Sequence, residues 1–497
     1  MHWQEWGISM VTIRQLSNGI RVVTERMPYF KTAAFGVWVK VGSACETKET
    51  NGISHVIEHM LFQGTKTRSA RQLAQDSAAI GDNVNAFTSK EYTSYYGVTL
   101  SEYLPRLIDM IGDMISNSIF DPDALSKEKG VILEEIDMYD DSPEDLVHEL
   151  LQQQVWNGHP LGFMISGEKE TVKSFTREQI LAFLAEYYTA ENMVLSVAGH
   201  FDEEEVLSML EKAFGGIASC NHFRETRIQN AREALQRVVL SDTPYHREYQ
   251  HSRDQGVKEQ TNAMAEADSE KGGFQGLTDI RNSEAEAIRT RCPVYRPCFC
   301  MRAKDIEQLH MNIAFDSVPA DSPKKYTLAV LNSILGGSNN SRLFQVIREE
   351  LGLAYSVYSY ASSYESAGLF QIDVTLNPSQ AELAFERIFE ETDKLKTSDI
   401  SDAELAVHIS QVKTELIMGA ESPKSRMNSN AKAVLARGRI ESIKHASDAV
   451  AAVSVQDIAG FAKEYLKPET ASMCLVGPIG KRLGTRFEKK LAALRKV

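Results

Sequence analysis

The chain has 497 residues, of which 43% are hydrophobic and 25% are charged, and its formal net charge at pH 7 is −14. Such a length predicts about two to four domains, and the composition is typical of a soluble globular protein with a substantial core. The negative charge argues against a nucleic-acid-binding protein, because phosphate groups would be repelled over most of the surface. No apolar run reaches the roughly 18 residues that a transmembrane helix needs, so we predict no membrane partner.

The cysteines and the N-terminus bear on the cellular compartment. Six cysteines are few for this length, which suits a reducing environment better than a disulfide-rich secreted protein. The first residues, MHWQEWGISMVTIRQLSNG, lack the basic segment and apolar core of a secretory signal. We therefore predict a cytoplasmic protein, with a mature form in the mitochondrial matrix as the alternative.

The first half begins with predicted strands and continues with helices. GIRVVTERM and TAAFGVWVKVG are typical of strands, and SHVIEHML, at residues 54–61, is predicted to be helical. NVNAFTSKEYTSYYGVTL, at 83–100, is rich in aromatic and β-branched residues, which favour strands. LSKEKGVILEEIDMYDDSPED, at 125–145, is predicted to be one helix. Residues 175–200 read as a helix, a polar turn and a strand ending at Gly199.

The second half repeats this order, which indicates a tandem duplication. FTREQILAFLAEYYTAENMVLSVAGH, at 175–200, aligns without a gap with VSVQDIAGFAKEYLKPETASMCLVGP, which lies 278 positions later at 453–478. NVNAFTSKEYTSYYGVTL aligns with AYSVYSYASSYESAGLFQIDVTL, at 354–376, at an offset of 276. Two nearly equal offsets in separate segments are better explained by duplication than by chance alternation.

Strands and helices grouped in this way predict an α+β fold of two duplicated domains, each a largely antiparallel sheet packed with helices. We expect an N-terminal domain at 10–216 and a C-terminal domain of the same fold at 293–497. The segment between them, 217–292, is polar and charged. It is predicted to be a linker, part helical and part disordered.

SHVIEHML has the residues of a possible metal site. On a helix, His55 and His59 lie one turn apart on the same face, so both imidazoles can reach one ion. Glu58, beside them, can accept a proton from a water molecule bound to that ion. The alternative interpretation is a helix that buries two satisfied histidines.

A catalytic zinc needs three protein ligands and an open position for water, so a third ligand is expected on another element. The predicted helix at 125–145 offers Glu128, Glu134 and Glu135. Glu128 and Glu135 share a helix face, whereas Glu134 points elsewhere. Spacing alone does not choose among the three glutamates, and a solvated acidic helix is the alternative.

Four motifs, GISHVIEHMLFQGT, NVNAFTSKEYTSYY, KEKGVILEEIDMYDDSPED and HPLG, together resemble the inverted-zincin metallopeptidases of the insulinase/pitrilysin family. The chain is most similar to the two-domain bacterial processing peptidases, which resemble the catalytic subunit of mitochondrial processing peptidase. The resemblance implies one Zn²⁺ per chain, bound by His55, His59 and Glu135, which lies 76 positions after His59. It also implies that Glu58 is the catalytic base and that Glu128 orients the site without binding the ion.

The resemblance further implies a substrate site. Asn85, Ala86 and Phe87 match the edge strand with which family members hold an extended peptide by strand addition. Arg348 and Tyr355, in SRLFQVIREELGLAYSVYS, resemble the Arg/Tyr pair that contacts the substrate carbonyl and stabilises the oxyanion. The alternatives are an ordinary strand, a surface arginine and a strand tyrosine without functional roles.

The family resemblance also predicts the assembly and the activity. Larger relatives carry four such domains on one chain and enclose the substrate in a clamshell chamber, so two domains form half of it. Because this chain has both the zinc residues and the Arg/Tyr pair, we predict a homodimer in which each pair completes the partner's site. The predicted function is zinc-dependent endopeptidase cleavage of unfolded peptides or precursor segments. The alternatives are a non-catalytic scaffold subunit, as in the core proteins of respiratory complexes, and a structural metal-binding helix in an unrelated protein.

Overall fold

The computed structural model describes residues 11–218, 292–397 and 399–495, where the chain forms two β-sheets packed with helices. Apart from its ends, the predicted linker at 217–292 lies outside the described residues. The strands of the first sheet are β1 (Val11–Gln15), β2 (Arg21–Arg26), β3 (Thr32–Val39), β4 (Val84–Thr88), β5 (Thr93–Leu100) and β6 (Met193–Gly199). The strands of the second sheet are β7 (Phe299–Ala303), β8 (Leu309–Ser317), β9 (Ala354–Ser363), β10 (Gly368–Leu376) and β11 (Ser472–Gly477).

The two sheets have the same strand order. The first sheet runs β1-β2-β6-β3-β5-β4 and the second runs β7-β11-β8-β10-β9, so each strand of the second sheet has a counterpart in the first. β2 is parallel to β6 and β7 is parallel to β11, whereas the other neighbours are antiparallel. The predicted α+β fold with largely antiparallel sheets is confirmed, and the repeated order is what a tandem duplication produces.

Helices follow the strands in both halves. Those of the first half are α1 (Ile53–Met60), α2 (Ala70–Ala79), α3 (Leu104–Asn117), α4 (Pro122–Asp141), α5 (Pro143–Val155), α6 (Lys169–Ser174), α7 (Arg177–Tyr187) and α8 (Glu203–Phe214). Those of the second half are α9 (Lys325–Leu335), α10 (Ala381–Lys396), α11 (Asp402–Ala420), α12 (Pro423–Arg437), α13 (Ile443–Ala451), α14 (Val455–Tyr465) and α15 (Lys481–Leu494). A π-helix at Phe344–Glu350 precedes β9. Among the described helices, none is long and apolar enough to cross a bilayer.

The prediction of a single helix at 125–145 is wrong, because this segment contains the end of α4 and the start of α5. Ser142 between them is extended, with φ −82° and ψ 108°. Pro143 explains the break, since a proline disfavours the helical conformation of the residue before it but is well tolerated at the start of the next helix. The Ser142 hydroxyl then accepts the N–H of Asp145 and caps α5.

Each sheet packs one face against helices of its own half. In the first sheet, Val37 and Val197 lie in a buried core with Val56 and Ile57 of α1. Burying one such aliphatic side chain contributes about 1.5–3 kcal/mol. The apolar residues of α1 therefore fix that helix to the sheet and leave its histidine face free for chemistry.

The opposite face of each sheet is covered by one helix from the other half. α5 places Leu146, Leu151 and Val155 against Ala314 and Val476 of the second sheet. Reciprocally, α12 places apolar side chains on the first sheet, where they bury the residues Val23, Trp38 and Val194. α5 and α12 both follow a Ser-Pro pair in which the serine caps the helix. They are therefore equivalent elements of the duplication, exchanged between the halves.

The contact between α12 and the first sheet contains a buried ion pair. Arg426 Nε lies 2.8 Å from Glu25 Oε2, and Asn430 Nδ2 donates to the same oxygen at 2.6 Å. Glu25, Arg426 and Asn430 are 1%, 8% and 1% exposed. Charges this deeply buried are tolerated only when they are paired, so the contact requires the two partners to be present together.

Candidate active site

The helix that carries the two histidines starts at a glycine with an unusual backbone. Gly52 has φ 97°, in the left-handed region, and a Cβ there would lie 2.8 Å from the Gly167 Cα. Only glycine meets both conditions without strain. The start of α1 is thus packed directly against the backbone at Gly167.

A buried carboxylate satisfies the first N–H groups of α1. Glu46 is 0% exposed and accepts the N–H of Gly52 at 2.7 Å and that of Ser54 at 2.9 Å. Asn51 Nδ2 donates to it at 2.9 Å. Burial raises the pKa of Glu46, although the bonds from Asn51, Gly52 and Ser54 oppose this. These bonds fix the start of the helix just before His55.

His55, His59 and Glu135 converge on one small volume. His55 Nε2 lies 3.7 Å and His59 Nε2 lies 3.6 Å from Glu135 Oε2, and one donor atom of each residue lies within 4.8 Å of the others. In a tetrahedral zinc site, ligand atoms about 2.0–2.2 Å from the ion lie about 3.4 Å apart, so the separations fit one ion. Within the described parts of the chain, no other three His, Cys, Asp or Glu donors come this close.

The electrostatics of these three groups differ. Burial lowers the pKa of His55 to about 4, and the neighbouring His59 adds to this effect, so His55 is neutral and its nitrogen can bind a metal. The pKa of His59 is raised, because its contacts with Glu135 and Glu128 outweigh its burial. The hydrogen bond with His59 lowers the pKa of Glu135, which keeps that carboxylate ionised. The set therefore offers two imidazoles and one anion, which are typical zinc donors.

Glu128 contacts the far nitrogen of one histidine. Its Oε2 lies 3.2 Å from His59 Nδ1, and its Oε1 accepts from Gln63 Nε2 at 2.8 Å. A carboxylate at Nδ1 favours the tautomer in which Nε2 is free to bind a metal. Glu134, in contrast, is exposed. The supporting role of Glu128 stays a prediction, for which this contact is a requirement.

Glu58 is placed beside the converging donors and is tied to the sheet edge. Thr88 Oγ1 donates to Glu58 Oε2 at 2.6 Å. Burial raises the pKa of Glu58, although the Thr88 bond opposes this. A carboxylate whose proton affinity is raised by burial is suited to accept and return a proton.

The predicted substrate segment lies at the edge of the first sheet. β4 is the last strand in the sheet order, so its outer N–H and C=O groups are not paired with another described strand. Asn85 is exposed, and its Oδ1 accepts the N–H of Ala86 at 2.8 Å. Phe87 packs against the ring of Trp38 with centroids 5.6 Å apart. β4 therefore has a free edge next to α1, as strand addition requires.

Arg348 and Tyr355 lie on the second half and are not brought to the three converging residues. Arg348 is in the π-helix, stacked 4.8 Å over the Phe344 ring and 3.9 Å from Glu349. Tyr355 is on β9 and is 73% exposed. Among the described residues, neither has a contact with His55, His59 or Glu135. π-Helical turns are frequent at functional sites, but here the two side chains face solvent.

Sequence reasoning missed the residues that hold the site in place: Glu46, Gln63 and Thr88. One signal was available for Glu46. Gly52 has no side chain to cap α1, so the N–H groups in the first turn of the helix needed an acceptor from elsewhere in the chain. Nothing in the spacing of the sequence pointed to the bond between Thr88 and Glu58.

Comparison with known proteins identifies the family that this chain resembles. Residues 21–169 match the family described as insulinase (peptidase family M16), and residues 174–265 and 274–412 match the peptidase M16 inactive domain. An uncharacterized zinc protease, YmxG, from Bacillus subtilis is 35% identical over 93% of this chain and 97% of its own length. A protease from Helicobacter pylori superposes with a TM-score of 0.76 at 18% identity, covering 95% of this chain and 100% of that one. A chain of Complex III2 from Candida albicans, with Inz-5 bound, has a TM-score of 0.73 at 18% identity and covers 97% and 100%.

The fold and the matches define the class of protein, a zinc metallopeptidase. The chain belongs to the insulinase family of peptidases, family M16. The match to a domain described as inactive begins at residue 174, so it includes neither α1 nor Glu135.

Proposed function

We propose that this chain is an endopeptidase whose metal site consists of one zinc bound by His55, His59 and Glu135. The observation that carries the proposal is the convergence of both Nε2 atoms on Glu135 Oε2, at 3.7 and 3.6 Å. An exposed acidic helix has no reason to direct a carboxylate between two imidazoles. Zinc bound there supplies a Lewis acid that activates water and polarises the scissile carbonyl.

Glu58 is the proposed general base. Its carboxylate accepts the proton of the attacking water and later gives it to the leaving amine. Thr88 holds the Oε2 of Glu58, so the base is fixed relative to the strand on which the peptide would lie. Glu128 holds the His59 ring in the orientation that directs Nε2 inward.

The peptide is proposed to add to the free edge of β4 along Asn85, Ala86 and Phe87. Main-chain hydrogen bonds to an edge strand require an extended backbone, which folded proteins rarely present. The proposed substrates are therefore unfolded peptides or precursor segments. The negative charge that argues against nucleic-acid partners does not oppose a peptide bound mainly through its backbone.

The assembly is proposed to be a homodimer in which Arg348 and Tyr355 act on the partner's site. Both side chains are exposed. Among the described residues, neither contacts His55, His59 or Glu135 of its own chain. A tyrosine hydroxyl and a guanidinium contributed by a partner would stabilise negative charge on the substrate carbonyl oxygen. Two such chains would enclose the chamber, with domains at 10–216 and 293–497 in each. The proposed location is the cytoplasm.

A metal-removal experiment tests the activity and the scaffold alternative together. The purified chain is assayed on an internally quenched peptide before chelation, after chelation and after addition of Zn²⁺, with metal content measured at each stage. We expect cleavage that disappears on chelation and returns with zinc at one ion per chain. A scaffold subunit would bind no zinc and cleave nothing. A structural metal helix would bind zinc without cleaving the peptide.

A further inference from the structure

The side chains of β4 alternate between two faces of the first sheet. Ala86 packs into the core on the side of α1, and Thr88 bonds Glu58 on that side. Phe87, between them, packs on the opposite face with Trp38. A peptide added to the edge of β4 would alternate in the same way. Half of its side chains would face the metal residues, and the other half would lie beside Phe87.

The face beside Phe87 carries three adjoining aromatic rings, which we call the aromatic shelf: Phe87, Tyr92 and Tyr96. The centroid of Phe87 is 6.0 Å from that of Tyr92 and 6.1 Å from that of Tyr96. α12 packs mainly on β6, β3 and β2 of this face, and the three rings are only partly buried. The shelf is therefore accessible between α12 and the edge of β4.

Two lysines of α12 border the shelf. Lys424 Nζ lies 4.8 Å from the Tyr96 ring centroid, and Lys432 Nζ lies 5.3 Å from that of Tyr92. Both lysines are exposed. They lie two helical turns apart on the same side of α12, so a cation stands over each of the two rings that flank Phe87. This is a local positive site on a chain whose net charge is −14.

We propose that the aromatic shelf with Lys424 and Lys432 is a specificity site for acidic side chains of the bound peptide. This specificity depends on the proposed endopeptidase function. It concerns those peptide residues whose side chains point away from the metal site. The methylenes of a glutamate side chain can lie on the aromatic rings, and its carboxylate can reach the flanking ammonium groups. A lysine side chain in the same position meets two like charges.

The test is a positional scan on the wild-type chain loaded with zinc. Internally quenched peptides identical except at one position carry Glu, Gln or Lys at each position in turn, and kcat/KM is measured. We expect a preference for Glu over Gln of about three- to tenfold, the effect of one or two exposed ion pairs. The preference should appear at alternate positions only, and it should shrink as salt is added.

Charge reversal identifies the residues responsible. In K424E/K432E, the ratio of kcat/KM for Glu peptides to that for Lys peptides should invert at the same alternate positions. Lys463→Glu, on an exposed position of α14, reverses one lysine away from the shelf, half the charge change of K424E/K432E, and should leave that ratio as in the wild type.

The outcomes separate this inference from the proposed function. If the wild-type chain cleaves no peptide of the set, the proposed endopeptidase function is wrong. If it cleaves the set without an alternating charge preference, the peptidase stands and the specificity site is refuted. A preference that survives K424E/K432E unchanged would also refute it.

Discussion

At the residue scale, the proposed zinc site depends on residues that lie outside α1. α1 supplies the spacing of His55 and His59, but Glu135 comes from α4. The ring of His59 is held by Glu128, and Glu58, the proposed base, is held by Thr88 from β4. A site built on three elements keeps its geometry only if each element is fixed, so it also depends on the contacts that anchor α1.

The first prediction concerns Glu46. Glu46→Gln keeps the size of the side chain but replaces one accepting oxygen with an amide group that must face an N–H donor. We expect the start of α1 to shift, because a buried donor is left unpaired. Zinc affinity should fall about ten- to a hundredfold, as it does when residues that support metal ligands are changed. Competition with a zinc chelator measures the affinity, and kcat/KM is measured on zinc-saturated enzyme.

Glu134→Gln is the matched control, because Glu134 is exposed and next to Glu135 in the chain. It removes the same charge without touching the helix anchor, and its zinc affinity should equal that of the wild type. A folded Glu46→Gln variant with wild-type zinc affinity and turnover would show that Glu46 has no positioning role.

At the element scale, the exchange of α5 and α12 holds the halves together. Each helix covers a sheet face of the other half, and the described residues of the two halves pack as one compact unit. A hinge between the halves would expose apolar residues such as Trp38 and Val194, which are fully buried. The packing therefore opposes independent motion of the halves.

The second prediction concerns the buried ion pair of α12. Arg426→Ala removes the guanidinium that lies 2.8 Å from the carboxylate of Glu25, which is 1% exposed. Such a change typically costs about 3–5 kcal/mol of unfolding free energy. Urea denaturation followed by circular dichroism measures it. The double variant Glu25→Gln/Arg426→Met should recover part of the loss, since no buried charge remains.

The surface pair Lys444–Asp448 provides the comparison, because both side chains are largely exposed. Lys444→Ala should barely move the denaturation midpoint. Equal effects of Arg426→Ala and Lys444→Ala would contradict the role given to the buried pair.

Some of these elements could be predicted from sequence and others could not. The duplication could be predicted from the two nearly equal offsets. The helix–turn–strand segment ending at Gly199 could be predicted from apolar periodicity, which local chain geometry determines. The break between α4 and α5 was readable from Pro143 but was missed. The exchange of α5 and α12 between the halves could not be predicted, because a helix has the same amphipathic pattern whichever sheet it covers. The spacing of His55 and His59 indicated a metal site. It did not show which of the three glutamates comes close to them, because that depends on how α4 packs against α1.

At the scale of the whole molecule, the positions of the two functional sets favour an assembly. The proposed zinc ligands lie on the first half, whereas Arg348 and Tyr355 are exposed on the second. The duplicated fold places β9 in the second sheet where β4 lies in the first, so each is an edge strand of its sheet.

The third prediction tests action between chains. A Glu58→Gln chain and a Tyr355→Phe chain are each expected to be nearly inactive. When they are co-expressed, half of the dimers pair one of each, and one site in such a dimer has an intact Glu58 and receives an intact Tyr355. Activity should return to about a quarter of the wild-type level, as expected for random pairing in a twofold dimer. No recovery in verified mixed dimers would place the pair within its own chain.

The Glu58→Gln variant alone tests whether this chain is a zinc endopeptidase with Glu58 as its general base. The substitution keeps the shape of the side chain and leaves His55, His59 and Glu135 unchanged. We predict that it binds one zinc per chain as the wild type does and that kcat/KM falls about 10²- to 10⁴-fold, the contribution expected of a general base. Zinc bound at the wild-type level together with cleavage at the wild-type rate would contradict the assignment of Glu58 as the base.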